Sequence, residues 1–179
     1  MFKLRPYQES AHTAILNWIK YRAPEHGYIT APGGSGKSIM IAKTAESLFD
    51  MGKRVIVLAR NEKLLTQNRA KLSDHHAQHT GLYCAGLGEK TLDKPITIAS
   101  IQSIASVDMP HAIDCILVDE CQNIHPNSDE ETQYWDFFKR CNLPQIIGFT
   151  ATPFRTSSGK IAWGEEIYSV PIKPLIEKG

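Results

Sequence analysis

The chain has 179 residues and a formal charge of +1, so it can bury one sizeable core and carries no bulk charge that argues for or against a polyanionic partner. Its 42% hydrophobic and 22% charged content is that of an ordinary folded chain, and no apolar run approaches the ~18 residues of a membrane span. Cys84, Cys115, Cys121 and Cys141 show no C-x-x-C pair and no zinc spacing, and Met1 to Pro6 lacks the apolar core of a signal peptide, so free thiols and a cytoplasmic monomer of one domain, residues 1–179, are expected.

Pro6 stands near the start of a helix running to Tyr21, with Ala11, Ile15, Trp18 and Ile19 on one face. Gly27-Tyr28-Ile29-Thr30 is a short strand that feeds the glycine-rich Ala31 to Gly36, and Ser38 to Phe49 continues as a helix ended near Gly52. Arg54 to Leu58 and Glu62 to Leu72 repeat the unit, with Leu64, Leu65 and Leu72 at helical spacing. Asp74 to His79 reads as polar and irregular. Gly81 to Ala85, Ile96 to Ala99 and Cys115 to Val118 read as strands, followed by a helix from about Glu130 to Cys141 and a strand at Gln145 to Phe149. Thr156 to Lys160 reads as a flexible loop. Strands alternating with helices predict an α/β fold, a mostly parallel open sheet with helices on both faces. Such sheets bind ligands beyond the C-terminal ends of their strands, where the motifs of this chain fall.

Ala31-Pro32-Gly33-Gly34-Ser35-Gly36-Lys37-Ser38 fits a phosphate-binding loop with alanine in place of its first glycine. Backbone N–H groups converge on phosphate oxygens only where a glycine-rich turn opens onto a helix N-terminus. Lys37 would neutralise the β- and γ-phosphates of ATP, and the Ser38 hydroxyl would join a Mg²⁺ shell. Cys115 to Val118 then delivers Asp119 and Glu120 at a strand end, where ionised carboxylates are costly to desolvate without a cation or a proton to handle. Asp119 is assigned to Mg²⁺, directly or through water, and Glu120 to orienting and polarising the attacking water.

With these motifs in place, the chain resembles the first RecA-like domain of superfamily 2 helicases, the DEAD/DEAH-type group, in the branch near type III restriction motors. Five segments carry the resemblance in the family's order. Leu4-Arg5-Pro6-Tyr7-Gln8 resembles the adenine-recognition motif, which implies that Gln8 reads the adenine edge with Arg5 and Tyr7 nearby. Val57 to Asn68 and Thr97 to Ser103 are similar to the segments that grip the nucleic-acid backbone. Asp119-Glu120-Cys121-Gln122 takes the place of the Asp-Glu-x-His box, and Thr150-Ala151-Thr152-Pro153 is similar to the motif coupling hydrolysis to domain movement. Gln122 stands in place of histidine, and it can hydrogen-bond toward the γ-phosphate and the Thr150 loop but cannot titrate. Gly33 stands where many relatives carry threonine. The resemblance implies DNA, or RNA, as a partner held through its backbone, and a second RecA-like domain in cis that this chain does not contain.

The grip segments also make physical sense alone. Arg60, Asn61 and Lys63 follow a strand and open a helix, where exposed amides favour a phosphate, and Ser100, Gln102 and Ser103 repeat the arrangement. Three further features have plainer readings: His75, His76 and His79 as a solvated loop without metal-ligand spacing, Tyr134, Trp135, Phe137, Phe138 and Cys141 as a helix face packed on the sheet, and Asp129-Glu130-Glu131 as favourable helix-start charge. A small-molecule phosphotransferase would leave the two threonine- and serine-bearing loops without a purpose, and a non-catalytic nucleic-acid-binding module would not need Lys37 and Glu120.

Overall fold

Period-two alternation within buried strands decides the architecture. In a computed structural model, which describes residues 3–124, 129–155, 159–161 and 163–171, ten strands and six α-helices follow the chain. The helices are α1 (Pro6–Tyr21), α2 (Lys37–Asp50), α3 (Glu62–Arg69), α4 (Asp74–Gln78), α5 (Ile101–Ile104) and α6 (Asp129–Arg140). The strands are β1 (Gly27–Thr30), β2 (Val55–Ala59), β3 (Thr80–Cys84), β4 (Glu89–Lys90), β5 (Ile96–Ser100), β6 (Cys115–Asp119), β7 (Gln145–Thr150), β8 (Phe154–Arg155), β9 (Gly159–Lys160) and β10 (Glu165–Ser169).

Eight strands form one sheet in the order β10-β1-β7-β6-β2-β5-β3-β4, parallel throughout except for the β3–β4 pair, and β8 and β9 form a separate antiparallel ribbon. Central strands β1, β2, β5, β6 and β7 are buried along their whole length, as a parallel sheet covered on both faces requires. Val55 and Val57 face one core with Ile15, Ile41 and Leu65 of α1, α2 and α3; Ile56 and Leu58 face the other with Ile104 of α5 and Phe137 and Phe138 of α6. The predicted aromatic face of α6 is core: Tyr134, Phe137 and Phe138 are buried and Trp135 packs partly buried beside them. All four cysteines are free and buried, and burial pushes the Cys115 thiol up to about 12. No described helix is long and apolar enough to cross a membrane.

Several elements differ from the sequence expectation. Helix α3 stops at Arg69, three residues before Leu72, because the chain turns to start α4. Two short pairing elements, β4 and β10, carry too few apolar residues to be legible, and β10 joins the sheet at its edge beside β1. Of the expected loop Thr156 to Lys160, Gly159 and Lys160 lie in β9, while residues 156–158 fall outside the described residues. Asp129 to Glu131 do open α6, at its first turn.

The histidine stretch requires a correction. Asp74 to Gln78 is a helical turn, not an irregular solvated loop, and His76 is 7% exposed. Its Nδ1 lies 2.6 Å from Ser73 Oγ and its Nε2 3.0 Å from Asp50 Oδ1. Glu46, itself buried, accepts the Ser73 N–H at 2.6 Å and pairs with the buried Lys43 ammonium. The three imidazoles pack around Phe49, with His79 stacked on it at 5.0 Å, so their ring faces are used in packing while the nitrogens of His76 are hydrogen-bonded. Among the described residues no group of three potential ligands could hold a metal ion.

Removing Glu46 would strand the Lys43 charge beneath α4. Glu46→Ala is expected to cost about 3 kcal/mol or more of stability, measurable as a lower urea midpoint. A change within about 0.5 kcal/mol would show that water reaches this cluster freely.

Candidate nucleotide site and adjoining groove

Strand β1 delivers the loop 31–36 to the start of α2, and Ala31 N–H donates to the Thr150 carbonyl at 2.7 Å, tying the loop to the end of β7. Gly34 and Gly36 adopt the left-handed conformation at φ 77° and 81°. A side chain at Gly36 fails twice, since its Cβ would also lie 2.5 Å from Gln8 Nε2. No side chain caps α2, so its first amides are presented to an anion, as the phosphate reading requires. A Cβ on Gly33 would meet nothing within 4 Å.

Tyr7 and Gln8, at the start of α1, brace this loop. Tyr7 Oη and Gln8 Nε2 both donate to the Ser35 carbonyl, at 3.1 and 2.8 Å, while Gln8 Oε1 accepts the Arg5 N–H at 2.8 Å. Gln8 is 3% exposed and Arg5 is exposed. Pro32 turns the loop, its carbonyl accepting the Ser35 N–H at 3.1 Å, and Ser35 Oγ is buried without a protein partner.

Opposite the loop, β6 ends in the two acids, which separate into different environments. Asp119 is 1% exposed; burial pushes its carboxyl above the ordinary aspartate range, against the pull of the Asn68 hydrogen bond. Its Oδ2 accepts from Asn68 Nδ2 at 3.2 Å, whereas Oδ1 is buried with no protein partner. An orphaned carboxylate oxygen in one cleft with Ser38 is the donor chemistry of a hard cation such as Mg²⁺, so Asp119 and Ser38 fit the metal assigned to them. The cleft, about 420 Å³, is lined by the loop, Lys37, Ser38, Asp119 and Glu120 together with Leu64, Gln67 and Lys71.

Glu120 leaves the sheet in a left-handed turn, φ 54°, sparsely populated for a residue with a side chain. That turn aims its carboxylate back across the cleft: Oε1 pairs with Lys37 Nζ at 3.1 Å and Oε2 accepts from Gln122 Nε2 at 2.8 Å. A carboxylate can only accept here, so the Gln122 amide is oriented with nitrogen toward Glu120 and oxygen toward Thr150. The Thr150 hydroxyl donates to Gln122 Oε1 at 2.7 Å, lies 2.9 Å from the Thr152 carbonyl, and accepts the Thr152 N–H at 3.1 Å. Lys37, Glu120, Gln122, Thr150 and Thr152 thus form one uninterrupted polar chain running from the phosphate loop to the turn after β7.

A second depression, a groove of about 770 Å³, opens beyond β2 and β5. Arg60, Asn61, Lys63, Ser100, Gln102 and Ser103 all line it. Asn61 caps α3, its side chain accepting the Leu64 N–H at 2.9 Å, and Ser100 is 5% exposed with its hydroxyl donated to Ser103 at 2.8 Å. Arg60, Asn61, Lys63 and Gln102 are the exposed members. Tyr83 and Lys90, cross-strand partners on β3 and β4, complete the wall. The turn after β3 packs so closely on α3 that a Cβ on Gly86 would lie 1.8 Å from Glu62 Oε1.

Over residues 1–155 the sequence matches the family described as type III restriction enzyme, res subunit. The chain belongs to that family. Its fold is that of helicase RecA-like domains: it is similar to the UvsW helicase of bacteriophage T4, with 14% identity, 93% of this chain and 60% of that one covered, and a TM-score of 0.68. A nuclease-deletion mutant of the type ISP restriction-modification enzyme LlaGI, solved with a DNA substrate mimic, matches with 15% identity over 99% of this chain and 20% of that one, TM-score 0.67. The Hef helicase domain of Pyrococcus furiosus matches with 22% identity over 86% of this chain and 34% of that one, TM-score 0.62. The chain therefore spans no more than about three fifths of the solved helicase structures named here. Among curated proteins no sequence relative matches it.

For this member of the res-subunit family, sequence reading left out Gln67 and Lys71 at the cleft, Asn68 behind Asp119, and Tyr83 and Lys90 at the groove. Only Asn68 left a usable signal: it falls four residues after Leu64 and four before Leu72, a polar residue on an apolar helical stripe. The remaining four are assembled by tertiary contacts.

Because burial raises the Asp119 carboxyl, the folded chain holds its proton to higher pH than the unfolded chain does. Metal-free stability therefore falls as pH rises through and above the aspartate range. Asp119→Asn is expected to raise the melting midpoint in EDTA at neutral pH and to lose that advantage in acid below the aspartate range. Melts followed by circular dichroism check it, and a lower midpoint for the variant at neutral pH would contradict the assignment.

Proposed function

We propose that this chain is the ATP-binding half of an ATP-driven helicase or translocase, which binds Mg-ATP between the 31–38 loop and Asp119-Glu120 and meets a nucleic-acid backbone along the second groove. The observation that carries this reading is the polar chain from Lys37 through Glu120 and Gln122 to Thr150 and Thr152. A simple nucleotide-binding or phosphotransferase site has no need of such a connection out to the turn after β7. A motor does, because the state of the γ-phosphate must reach a partner domain.

In this reading Lys37 binds the β- and γ-phosphates, Ser38 and Asp119 hold Mg²⁺, and Glu120 orients the attacking water and takes its proton. The ion supplies charge neutralisation on the phosphates. Gln122 and Thr150 carry the coupling contact, with Thr152 fixing the Thr150 hydroxyl, and Arg5, Tyr7 and Gln8 serve the adenine. Arg60, Asn61, Lys63, Ser100 and Gln102 serve the backbone of the track. Efficient hydrolysis and unwinding need a second RecA-like domain, whose arginine finger is worth ~10³ or more in related phosphate-transfer enzymes.

Within the superfamily, Leu4 to Gln8, Ala85 to Gly88, Thr150 to Arg155 and the ending Val170 to Gly179, of which 172–179 lie outside the described residues, resemble the bacterial DNA-repair helicase RadD. That likeness favours DNA over RNA as the track and DNA repair as the setting.

The isolated chain should bind a fluorescent ATP analogue weakly and turn over little, and Lys37→Ala should lower that affinity about tenfold, in line with loss of one charge-assisted phosphate contact of about 1.5 kcal/mol. Supplying the second domain should raise nucleic-acid-stimulated turnover by ~10³. Unchanged affinity in Lys37→Ala, or robust stimulated turnover by the chain alone, would sink the reading.

Single-strand binding provides an independent check on the groove. Arg60→Ala and Lys63→Ala should each weaken binding to oligonucleotides of any sequence and reduce the salt slope by about 1. Identical slopes for wild type and both variants would move the track elsewhere.

A further inference from the structure

We propose that Asn68 is the positioning residue that fixes Asp119 for the divalent cation, a proposal that rests on the nucleotide reading above. Asn68 lies on the last turn of α3 and is 2% exposed, three residues after the fully buried Leu65 on the same face of the helix. A leucine would continue the apolar stripe. The amide is there instead, and its Nδ2 donates to Asp119 Oδ2 at 3.2 Å.

That single donor has two consequences. It takes up one carboxylate oxygen, so the carboxylate is held in one orientation with Oδ1 as its free acceptor. It also supplies, inside the protein, a favourable contact to the charged form of Asp119, which burial otherwise opposes. What remains is unusual: both Asp119 Oδ1 and Asn68 Oδ1 are buried with no protein partner. Buried acceptors left unsatisfied are destabilising. Two on adjoining side chains are explained together if the cation approaches Asp119 and one of its waters donates to the amide oxygen, since Mg²⁺ keeps several waters when it binds to protein.

Helix α3 is placed to give this contact a wider role. Its first residues, Glu62 and Lys63, line the groove, while Leu64 and Gln67 line the nucleotide cleft. One eight-residue helix touches both sites, and Asn68 is its contact with the acid pair.

The test uses the whole 179-residue chain. Binding of a methylanthraniloyl-ATP probe is followed by anisotropy while magnesium is titrated, and again in excess EDTA, for wild type, Asn68→Leu and Asn68→Ser. Asn68→Leu keeps the branched shape and removes the donor; it should raise the magnesium concentration at half-maximal tightening about tenfold or more and leave affinity in EDTA unchanged. Asn68→Ser retains a short donor and should fall between the two. If Asn68→Leu does not fold, Asn68→Ser carries the test. An unshifted magnesium midpoint in a folded variant overturns the proposal, as does an equal loss of affinity with and without magnesium, which marks a purely structural role. A wild-type chain that shows no magnesium-dependent binding overturns the nucleotide reading and this proposal with it.

Discussion

The burial of Asp119 at the end of an apolar strand, with the half-buried Glu120 next to it, constrains everything around them. A carboxylate withdrawn from water must find a cation, a donor or a proton. The structure answers differently for each acid. Asp119 stays inside the sheet edge with one amide donor and one oxygen left over, while Glu120 is swung by a strained left-handed turn to meet Lys37 and Gln122. Two adjacent residues of identical charge type thereby acquire separate chemistry, one suited to a metal and one suited to a proton.

The parallel sheet makes that separation possible. Its order puts β7 between β1 and β6, so the phosphate loop, the acid pair and the Thr150 turn emerge side by side at one edge. The Ala31 to Thr150 hydrogen bond closes the first gap and the Gln122 bridge closes the second. Gln122 can make this bridge because a primary amide offers a donor to the carboxylate and an acceptor to the hydroxyl at once. A histidine in the same place would present both functions only as a neutral ring, with charge available on titration. The glutamine keeps the connection and has no titrating proton of its own.

Legibility from sequence followed apolar patterning and glycine. The strands β1, β2, β5, β6 and β7, the helices α1, α2 and α6, and the 31–38 loop all carried strong local signals, because buried parallel strands are continuous apolar runs and a phosphate turn demands glycine. The histidine stretch misled because its nitrogens look solvated on paper; in three dimensions the three rings pack around Phe49 and the nitrogens of His76 reach Ser73 and Asp50. Strands β4 and β10 were illegible for a related reason. Edge strands take their structure from a neighbour's open hydrogen bonds, which no local pattern encodes.

The sequence by itself determined which residue types could handle a phosphate and a metal, through the loop Ala31 to Ser38 and the pair Asp119-Glu120, and where in the chain they sit relative to strand ends. Only the tertiary structure decided how those residues are wired: that Gln8 and Tyr7 brace the loop, that Gln122 joins Glu120 to Thr150, and that Asn68 touches Asp119. The physical reason is distance along the chain. Spacing of a few residues fixes turns and helix faces, whereas contacts between residues 27 to 51 positions apart are set by strand order and helix packing, which belong to the whole sheet.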